Sequence, residues 1–519
     1  MSDSRMPALL QRLVCVALLC LPAYFACAHN AGEHIGIFDG RTDIGETVVP
    51  GQVRFDDAAG TYTVTAAGEN MWTDHDAFYL LWKKVSGDFQ LTADIAFPRA
   101  LGRAHRKAVL MVRQDLDAGA AYADVAIHGS GLSALQYRRA KGVNTQDIEL
   151  NIDFPKTARL VKRGDVIRMF LSTHGEPLHQ SGAAIKLHFA GRYYVGIGLC
   201  SHDKDSTETA VFSQVELKKP APVAGALELF SSVQTIQTED KFRRAMMVRT
   251  VTGRIGSVNW SADGQSLYFN QDGRLQKMSV LGGKPELISI TPHLWCDDNH
   301  GLSPDNRQLA VSCASSPGRP ASLYTLPVAG GAAKQVTHDG SAEFHGWSPD
   351  GASIAFTGIR NGHSDVYVVP AQGGEPKRLT STAHNDGADF AADGHIYFTS
   401  DRSGSAQVWR MNADGTQATP LTHDPGSDRF PHVAANGKQL VYLNAGSGKL
   451  GDATLKILDL DSGQSRVLVD LYGGDGSLNA PSWSPDNHHL AFTAYDRLPR
   501  TADGPDYVLE APKPDMPLK

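Results

Sequence analysis

The sequence predicts an all-β protein in which a β-sandwich is followed by a six-bladed β-propeller. Three observations support this fold class: a five-residue phrase that recurs six times in the second half of the chain, a series of short alternating strands before it, and the lack of any long segment with helical periodicity. Each copy of the phrase ends in Asp or Asn followed by Gly or Asn, at residues 260–264, 302–306, 347–351, 390–394, 433–437 and 483–487.

The spacing of the phrase predicts the propeller. Its fourth residue falls at positions 263, 305, 350, 393, 436 and 486, so the repeat is about 43 residues long. A repeat of that size accommodates four short strands, which make one propeller blade. In the third copy an apolar strand at 353–357, a second strand at 365–369, a Gly-Gly turn at 373–374 and a closing strand at 378–380 follow in order.

The last copy is too short to complete a blade of its own, because a Pro-rich tail follows Tyr495. Residues 231–237 and 244–250 precede the first copy and have the composition of the third and fourth strands of a blade. We therefore expect the two ends of the propeller to pair in one sheet, which closes the ring and removes an exposed strand edge.

These repeats resemble those of the TolB-like propeller family, which read Trp-Ser-Pro-Asp-Gly-Lys, an apolar strand, Asp-Ile-Tyr-Val, Gly-Gly and Arg-Leu-Thr. The match is close at residues 347–380, and the resemblance covers residues 224–496. It implies the fold rather than one activity, because propellers of this family serve as binding partners, peptidase gates and glycan enzymes alike.

Residues 29–219 contain no repeat and predict the sandwich. They are similar to the concanavalin-like and laminin-G-like jelly rolls of secreted bacterial proteins at residues 85–89, 161–165, 194–199, 201–203 and 210–212. A Pro-containing linker at 220–223 then precedes the propeller, and the Pro-rich tail occupies 497–519. The predicted strands of this domain are 61–66, 89–97, 108–113, 122–127, 132–138, 166–172 and 193–200.

Residues 1–28 have the form of a signal peptide: two arginines, an apolar stretch and the small-residue site Ala-Cys-Ala. Cleavage after Ala28 predicts a periplasmic or secreted protein, and lipidation at Cys27 is the alternative. No other apolar run is long enough to predict a transmembrane segment. With 49 basic and 56 acidic residues, the net charge of −7 argues against a nucleic-acid partner.

Three of the six cysteines lie in the leader, which leaves Cys200, Cys296 and Cys313. Cys296 and Cys313 flank the second copy of the phrase at nearly equal distances, so they can face each other across two antiparallel strands. The sequence leaves two alternatives open, a disulfide and a pair of half-buried thiols. It predicts no Cys-rich metal site.

Candidate binding residues lie on one face of the sandwich. Asp124 and His128 share a side of one predicted strand with Tyr122, and Arg138 lies on the next strand. A polar sheet face with aromatic neighbours is typical of sugar recognition. The alternative is an ordinary solvated sheet face, which alternation alone also predicts.

A second set of candidates lies at the start of the innermost propeller strands, which converge on the central channel. The position seven residues before the fourth phrase residue is polar in the second to sixth copies. The position five residues before it adds His300 and His345, and the position four residues before it adds Asp389 and His432. Three alternatives follow: a ligand-binding mouth, a solvated rim, or a metal or catalytic site built by three histidines with a carboxylate. The candidates are Asp298, Asn299, His300, Glu343, His345, Asp386, Asp389, Arg429, His432 and Asn479.

The function that the sequence favours is an exported binding protein for a glycan or an envelope protein. Genuine TolB proteins carry a smaller α/β domain before the propeller, so the sandwich here favours a glycan-related binder over a Tol-Pal component. The alternative is a glycan-processing lyase or hydrolase with a His/carboxylate metal site in the channel. No nucleophile elbow, phosphate loop or His-Glu-x-x-His motif is present, and the sequence predicts no cofactor.

Overall fold

A computed structural model describes residues 34–499 except 151, 153, 174, 223–225, 240–243 and 446–449. The predicted signal peptide and all but the first three residues of the predicted tail lie outside the described residues. The described chain forms 41 β-strands and one short 3-10 helix, Asp475–Ser477. None of its helices has the length and apolar character needed to cross a membrane.

Sixteen strands form the N-terminal part: β1 (Gly40–Ile44), β2 (Gln52–Asp56), β3 (Thr61–Gly68), β4 (Met71–Trp72), β5 (His75–Asp76), β6 (Phe78–Val85), β7 (Phe89–Ala96), β8 (Lys107–Arg113), β9 (Tyr122–His128), β10 (Ser133–Arg138), β11 (Gln146–Leu150), β12 (Thr157–Arg163), β13 (Val166–Ser172), β14 (His179–Lys186), β15 (Tyr193–Cys200) and β16 (Asp203–Lys218).

Fourteen of these strands pack as two antiparallel layers, and β4 and β5 pair separately. The first has the order β1-β6-β15-β8-β9-β10-β11 and the second has the order β14-β13-β12-β7-β16-β3-β2. Alternate side chains of each layer, such as Leu110 and Val125 from the first and Leu91 and Leu160 from the second, share one hydrophobic core. Period-two alternation of apolar residues produces this arrangement, since only one face of each strand points to the other layer.

The first layer is also buried on its outer face. Val109, Met111 and Ala126 pack there against Met71 and Phe78 in a separate apolar cluster. Every residue of β8, β9 and β10 is therefore buried. This differs from the open polar sheet face that strand alternation predicts, because the segment around β4 and β5 covers the face.

The second half of the chain contains 25 further strands: β17 (Leu227–Gln237), β18 (Ala245–Thr252), β19 (Ile255–Trp260), β20 (Ser266–Gln271), β21 (Arg274–Ser279), β22 (Glu286–Leu287), β23 (Ile290–Thr291), β24 (Trp295–Leu302), β25 (Gln308–Ala314), β26 (Ser322–Pro327), β27 (Gly331–Ala332), β28 (Lys334–Gln335), β29 (Ser341–Trp347), β30 (Ser353–Arg360), β31 (His363–Pro370), β32 (Lys377–Arg378), β33 (Asn385–Phe390), β34 (His395–Ser400), β35 (Gln407–Asn412), β36 (Thr419–Pro420), β37 (Ser427–Val433), β38 (Gln439–Ala445), β39 (Leu450–Asp459), β40 (Ser465–Gly474) and β41 (His489–Pro499).

Five blades are complete four-stranded antiparallel sheets: β19-β20-β21-β22, β24-β25-β26-β28, β29-β30-β31-β32, β33-β34-β35-β36 and β37-β38-β39-β40. The prediction of six such blades is therefore wrong. The segments expected to close the ring do pair, since β17 lies between β18 and β41 with Ser231 opposite Tyr495.

Those three strands do not form a separate four-stranded sheet. The segment expected to be their innermost strand makes only an isolated bridge, Trp483 to Leu490, and Pro481 in it has no N–H to donate. On the other side β18 pairs in parallel with β11, with Ile148 opposite Ala245. The result is a ten-stranded sheet that continues from the N-terminal layer into the propeller.

The recurrent phrase has a structural role. Its Ser hydroxyl donates to its Asp carboxylate, as from Ser348 to Asp350 at 2.6 Å, and this fixes the turn between two strands. Its Trp donates the indole N–H to the neighbouring blade, from Trp347 to the Gly301 carbonyl at 3.2 Å. Cys296 and Cys313 form a disulfide between paired strands, which settles the alternatives left by the sequence.

Candidate functional site

An opening of about 450 Å³ lies where Arg254, just before β19, and the innermost strands β24 and β29 meet the segment that precedes Trp483. We call this opening the channel mouth. It is lined mainly by charged and amide side chains, and four of the predicted site residues are among them: Asp298, Asn299, Glu343 and Asn479. The structure therefore brings together residues that are 181 positions apart in the chain.

The charges at the channel mouth are partly compensated. Arg254 pairs with Asp298, and the Asn479 amide donates to the Asn299 side chain. Asp297 accepts a hydrogen bond from the Asn299 backbone N–H at 2.9 Å. Burial raises the pKa of Asp297 well above its usual range, and the nearby Glu343 and Asp298 carboxylates raise it further.

Glu343, His345 and Asp386 form a compact cluster beside the channel mouth, which we call the mouth cluster. One ligand atom from each residue lies within 4.8 Å of the other two. His345 is fully buried, and its Nε2 lies 3.2 Å from Asp386 Oδ1. The ring is not aligned for a hydrogen bond, so neither of its nitrogens has a hydrogen-bond partner in the described chain.

The two carboxylates of the mouth cluster have different pKa values. Burial, followed by the charge of Asp386, raises the pKa of Glu343 to about 7. Burial also acts on Asp386, but the nearby His345 ring and the bonds from Thr357 Oγ1 and the Gly387 N–H outweigh it and lower the pKa. Two carboxylates and one imidazole suit a divalent cation such as Mn²⁺ or Zn²⁺.

The three histidines expected to act together have three different surroundings. His300 lies within hydrogen-bond distance of two backbone carbonyls, those of Asp298 and Tyr268 at 3.2 and 3.3 Å. His432 Nε2 bonds to the Leu478 carbonyl at 2.9 Å. Of the three, only His345 belongs to the mouth cluster.

Asp389 and His432 belong to a separate opening of about 450 Å³, which is lined by the turns of the recurrent phrase. His432 Nδ1 lies 3.2 Å from Asp389 Oδ2 there. Arg429 lies 3.5 Å from Asp475, whose charge also acts on Glu343. Of the predicted propeller residues, four therefore line the channel mouth and two line the second opening, while His300, His345, Asp386 and Arg429 line neither.

Sequence reasoning missed Arg254, Asp297 and Asp475. The first copy of the phrase has Gly256 at the position that supplies Asp298 in the second copy. A Cβ at Gly256 would lie 2.0 Å from Asp298 Oδ1, so this glycine leaves room for the Asp298 carboxylate. Asp297 could have been found from its place in the unusual run of four polar residues at 297–300.

The predicted residues of the N-terminal part lie on the covered face of the first layer. Arg138 donates to the buried Asp76 carboxylate at 2.7 and 3.0 Å and to several backbone carbonyls, so its guanidinium is fully engaged. Asp124 and His128 are buried, and their polar atoms have no hydrogen-bond partner in the described chain. Burial raises the pKa of Asp124 and lowers that of His128.

Comparisons with known proteins concern the propeller half of the chain. The TolB beta propeller domain family, PD40, matches residues 345–500. An uncharacterized protein of Agrobacterium fabrum is 36% identical over 245 residues, which cover 46% of this chain and 83% of that protein. A solved structure of a TolB-like protein from Agrobacterium tumefaciens is 32% identical, covers 52% of this chain and 99% of that chain, and gives a TM-score of 0.49.

The Tol-Pal system protein TolB of Francisella tularensis is 24% identical over 262 residues. The match covers 49% of this chain and 59% of that protein, so the chain spans only about three fifths of this relative's length. The family match and the 36% identity to a relative of which the chain covers 83% together assign the family. This chain belongs to the PD40 family of TolB-like β-propeller proteins.

Proposed function

We propose that this protein is an exported, envelope-associated binding protein that holds its ligand at the channel mouth with the help of a divalent cation. The observation that carries the proposal is the mouth cluster, in which donor atoms from two neighbouring blades lie within 4.8 Å of one another. The relatives named as Tol-Pal system proteins support the envelope association. The predicted signal peptide supports a periplasmic or secreted location.

The ligand class that we propose is a glycan or an exposed segment of an envelope protein. The channel mouth offers carboxylates, amides and Arg254, which together accept and donate hydrogen bonds. A cation beside them would bind hydroxyl or carboxylate oxygens of the ligand. The predicted resemblance of residues 29–219 to concanavalin-like and laminin-G-like domains is our reason for including a glycan.

Binding of the full-length mature protein to a glycan array and to purified envelope proteins tests this function. We expect Glu343→Gln to weaken binding about tenfold, because it removes a charged acceptor of nearly unchanged size. Asp414→Asn is the matched control, since Asp414 lies exposed on a turn away from the channel mouth. Equal binding by both variants would overturn the proposal.

A second candidate function is a glycan-processing lyase or hydrolase. Two observations favour it: the mouth cluster suits a cation that polarises a substrate oxygen, and the Glu343 pKa of about 7 suits proton transfer near neutral pH. Acidic and neutral oligosaccharides incubated with the protein and Mn²⁺ would then be cleaved, and His345→Ala would abolish cleavage. If binding is retained without any cleavage, this candidate is excluded.

A further inference from the structure

A cavity of about 320 Å³ lies where the N-terminal layers meet the propeller, and we call it the junction cavity. One side is formed by strands β10, β11, β13 and β14 of the N-terminal part. The other side is formed by β17, β18, β40 and β41 of the propeller. It shares no lining residue with the channel mouth.

The walls of the junction cavity are held in place. The parallel pairing of β11 with β18 joins the two parts in one continuous sheet. Arg168 of β13 pairs with Asp496 of β41 through two hydrogen bonds of 2.6 and 2.7 Å, and both side chains are largely buried. These contacts fix the two parts relative to each other on both sides of the cavity.

Gly182 shows how closely the two parts approach beside the cavity. Its φ of +82° lies in the left-handed region that favours glycine. A Cβ at this position would lie 2.3 Å from Thr250 Oγ1 on β18. The backbone of β14 therefore lies directly against side chains of β18 beside the cavity.

The lining of the junction cavity is mainly apolar, with Val166, Phe230, Val469 and Phe492 among its residues. Several polar groups that line the cavity already have hydrogen-bond partners within the protein, as Arg168 has in Asp496. Gln180 differs, because its side-chain Oε1 is buried and has no hydrogen-bond partner in the described chain. A buried acceptor without a partner carries a free-energy cost that a ligand with a donor group would remove.

We infer that the junction cavity binds a small, largely apolar molecule that carries one hydroxyl or N–H group and donates it to Gln180. The volume lies near the lower end of the range for small-molecule sites, about 300–1,000 Å³. It admits a molecule of one or two rings and excludes an oligosaccharide. This site is independent of the proposed function at the channel mouth, and a ligand that bridges the two parts would stabilise the folded chain.

The experiment uses two probes of similar shape, 2-naphthol and 2-methylnaphthalene, with the full-length mature protein. Binding is measured by probe fluorescence and by the shift in melting temperature. We expect 2-naphthol to bind about three- to tenfold more tightly than 2-methylnaphthalene, which is the effect of one hydrogen bond. Gln180→Met keeps the size of the side chain and should abolish this difference.

A second variant fills the space. Ala184 and Ala494 line opposite sides of the cavity, and Ala184→Leu with Ala494→Leu should remove binding of both probes. Ala413→Leu, on an exposed turn, serves as the control. If the filled variant does not fold, the Gln180→Met comparison decides alone.

The inference is overturned if wild type binds neither probe, or if Gln180→Met leaves the preference for 2-naphthol unchanged. Unaltered probe binding by a folded Ala184→Leu, Ala494→Leu variant would also overturn it. Glu343→Gln is expected to leave probe binding unchanged. Probe binding therefore tests the junction cavity alone, and the two proposals can fail separately.

Discussion

Nε2 of His345 lies 3.2 Å from Oδ1 of Asp386, although the two residues belong to neighbouring blades. Each occupies the innermost strand of its own sheet, β29 and β33. The contact therefore exists only when the blades are stacked around the channel. It links the fold of the repeats directly to the chemistry that we propose for the channel mouth.

The indole of Trp347 should stabilise the contact between blades. Trp347→Phe removes the hydrogen bond to Gly301 and leaves a buried carbonyl without its partner, so we expect a loss of about 1–3 kcal/mol in the free energy of unfolding. Urea denaturation measures it. Trp409→Phe is the matched control, because the Trp409 indole N–H is buried without an acceptor. An equal loss in both variants would show that only ring volume matters.

The disulfide between Cys296 and Cys313 should stabilise the second blade. It closes a loop of 17 residues, for which chain entropy gives about 3 kcal/mol. We expect dithiothreitol to lower the urea midpoint of wild type but not that of a Cys296→Ala, Cys313→Ala double variant. A reductant effect of similar size in both proteins would contradict a stabilising role.

The buried Asp124 should make stability depend on pH. Burial raises its folded pKa well above 3.8, while the Lys107 charge opposes this shift. The unfolded chain then holds fewer protons than the folded chain above pH 3.8, so this group lowers stability as the pH rises towards the folded pKa.

Asp124→Asn removes this titration, and we expect the variant to be more stable than wild type at pH 8 and similar to it at pH 4. Thermal unfolding at both pH values measures the effect. Asp57→Asn, at an exposed position, should show no such difference between the two pH values. A variant that is less stable than wild type at pH 8 would contradict this prediction, because the nearby charge of Lys107 would then outweigh the cost of burying the carboxylate.

Much of the strand pattern could be predicted from local sequence. Predicted strands such as 166–172 and 193–200 agree with β13 and β15 at both ends, because apolar alternation and flanking turn residues define them. The parallel pairing of β11 with β18 could not be predicted, since it joins residues about 100 positions apart through backbone groups alone. That pairing places β18, β17 and β41 in the N-terminal sheet, and the bridge from Trp483 to Leu490 leaves them without an innermost strand.

Only part of the candidate site could be predicted from the spacing of residues along the sequence. Counting back seven residues from the phrase placed Asp298 and Glu343 together, as the structure has them. Counting back five gives His345, which belongs to the mouth cluster, whereas His300 and His432, at five and four, do not belong to it. The innermost strands β24 and β37 shift register just before these residues, between Cys296 and His300 and between Arg429 and His432. The same kind of shift occurs in β29 between Phe344 and Gly346, so the bulge alone does not explain why His345 belongs to the mouth cluster and the other two histidines do not.

Titration of the metal-free protein with Mn²⁺ by calorimetry tests the central claim most directly. We predict one Mn²⁺ bound per chain, at least about tenfold weaker binding for Glu343→Gln, and unchanged binding for Asp389→Asn at the other opening. No binding by wild type, or equal weakening in both variants, would contradict the assignment of the mouth cluster as the site of ligand and cation binding.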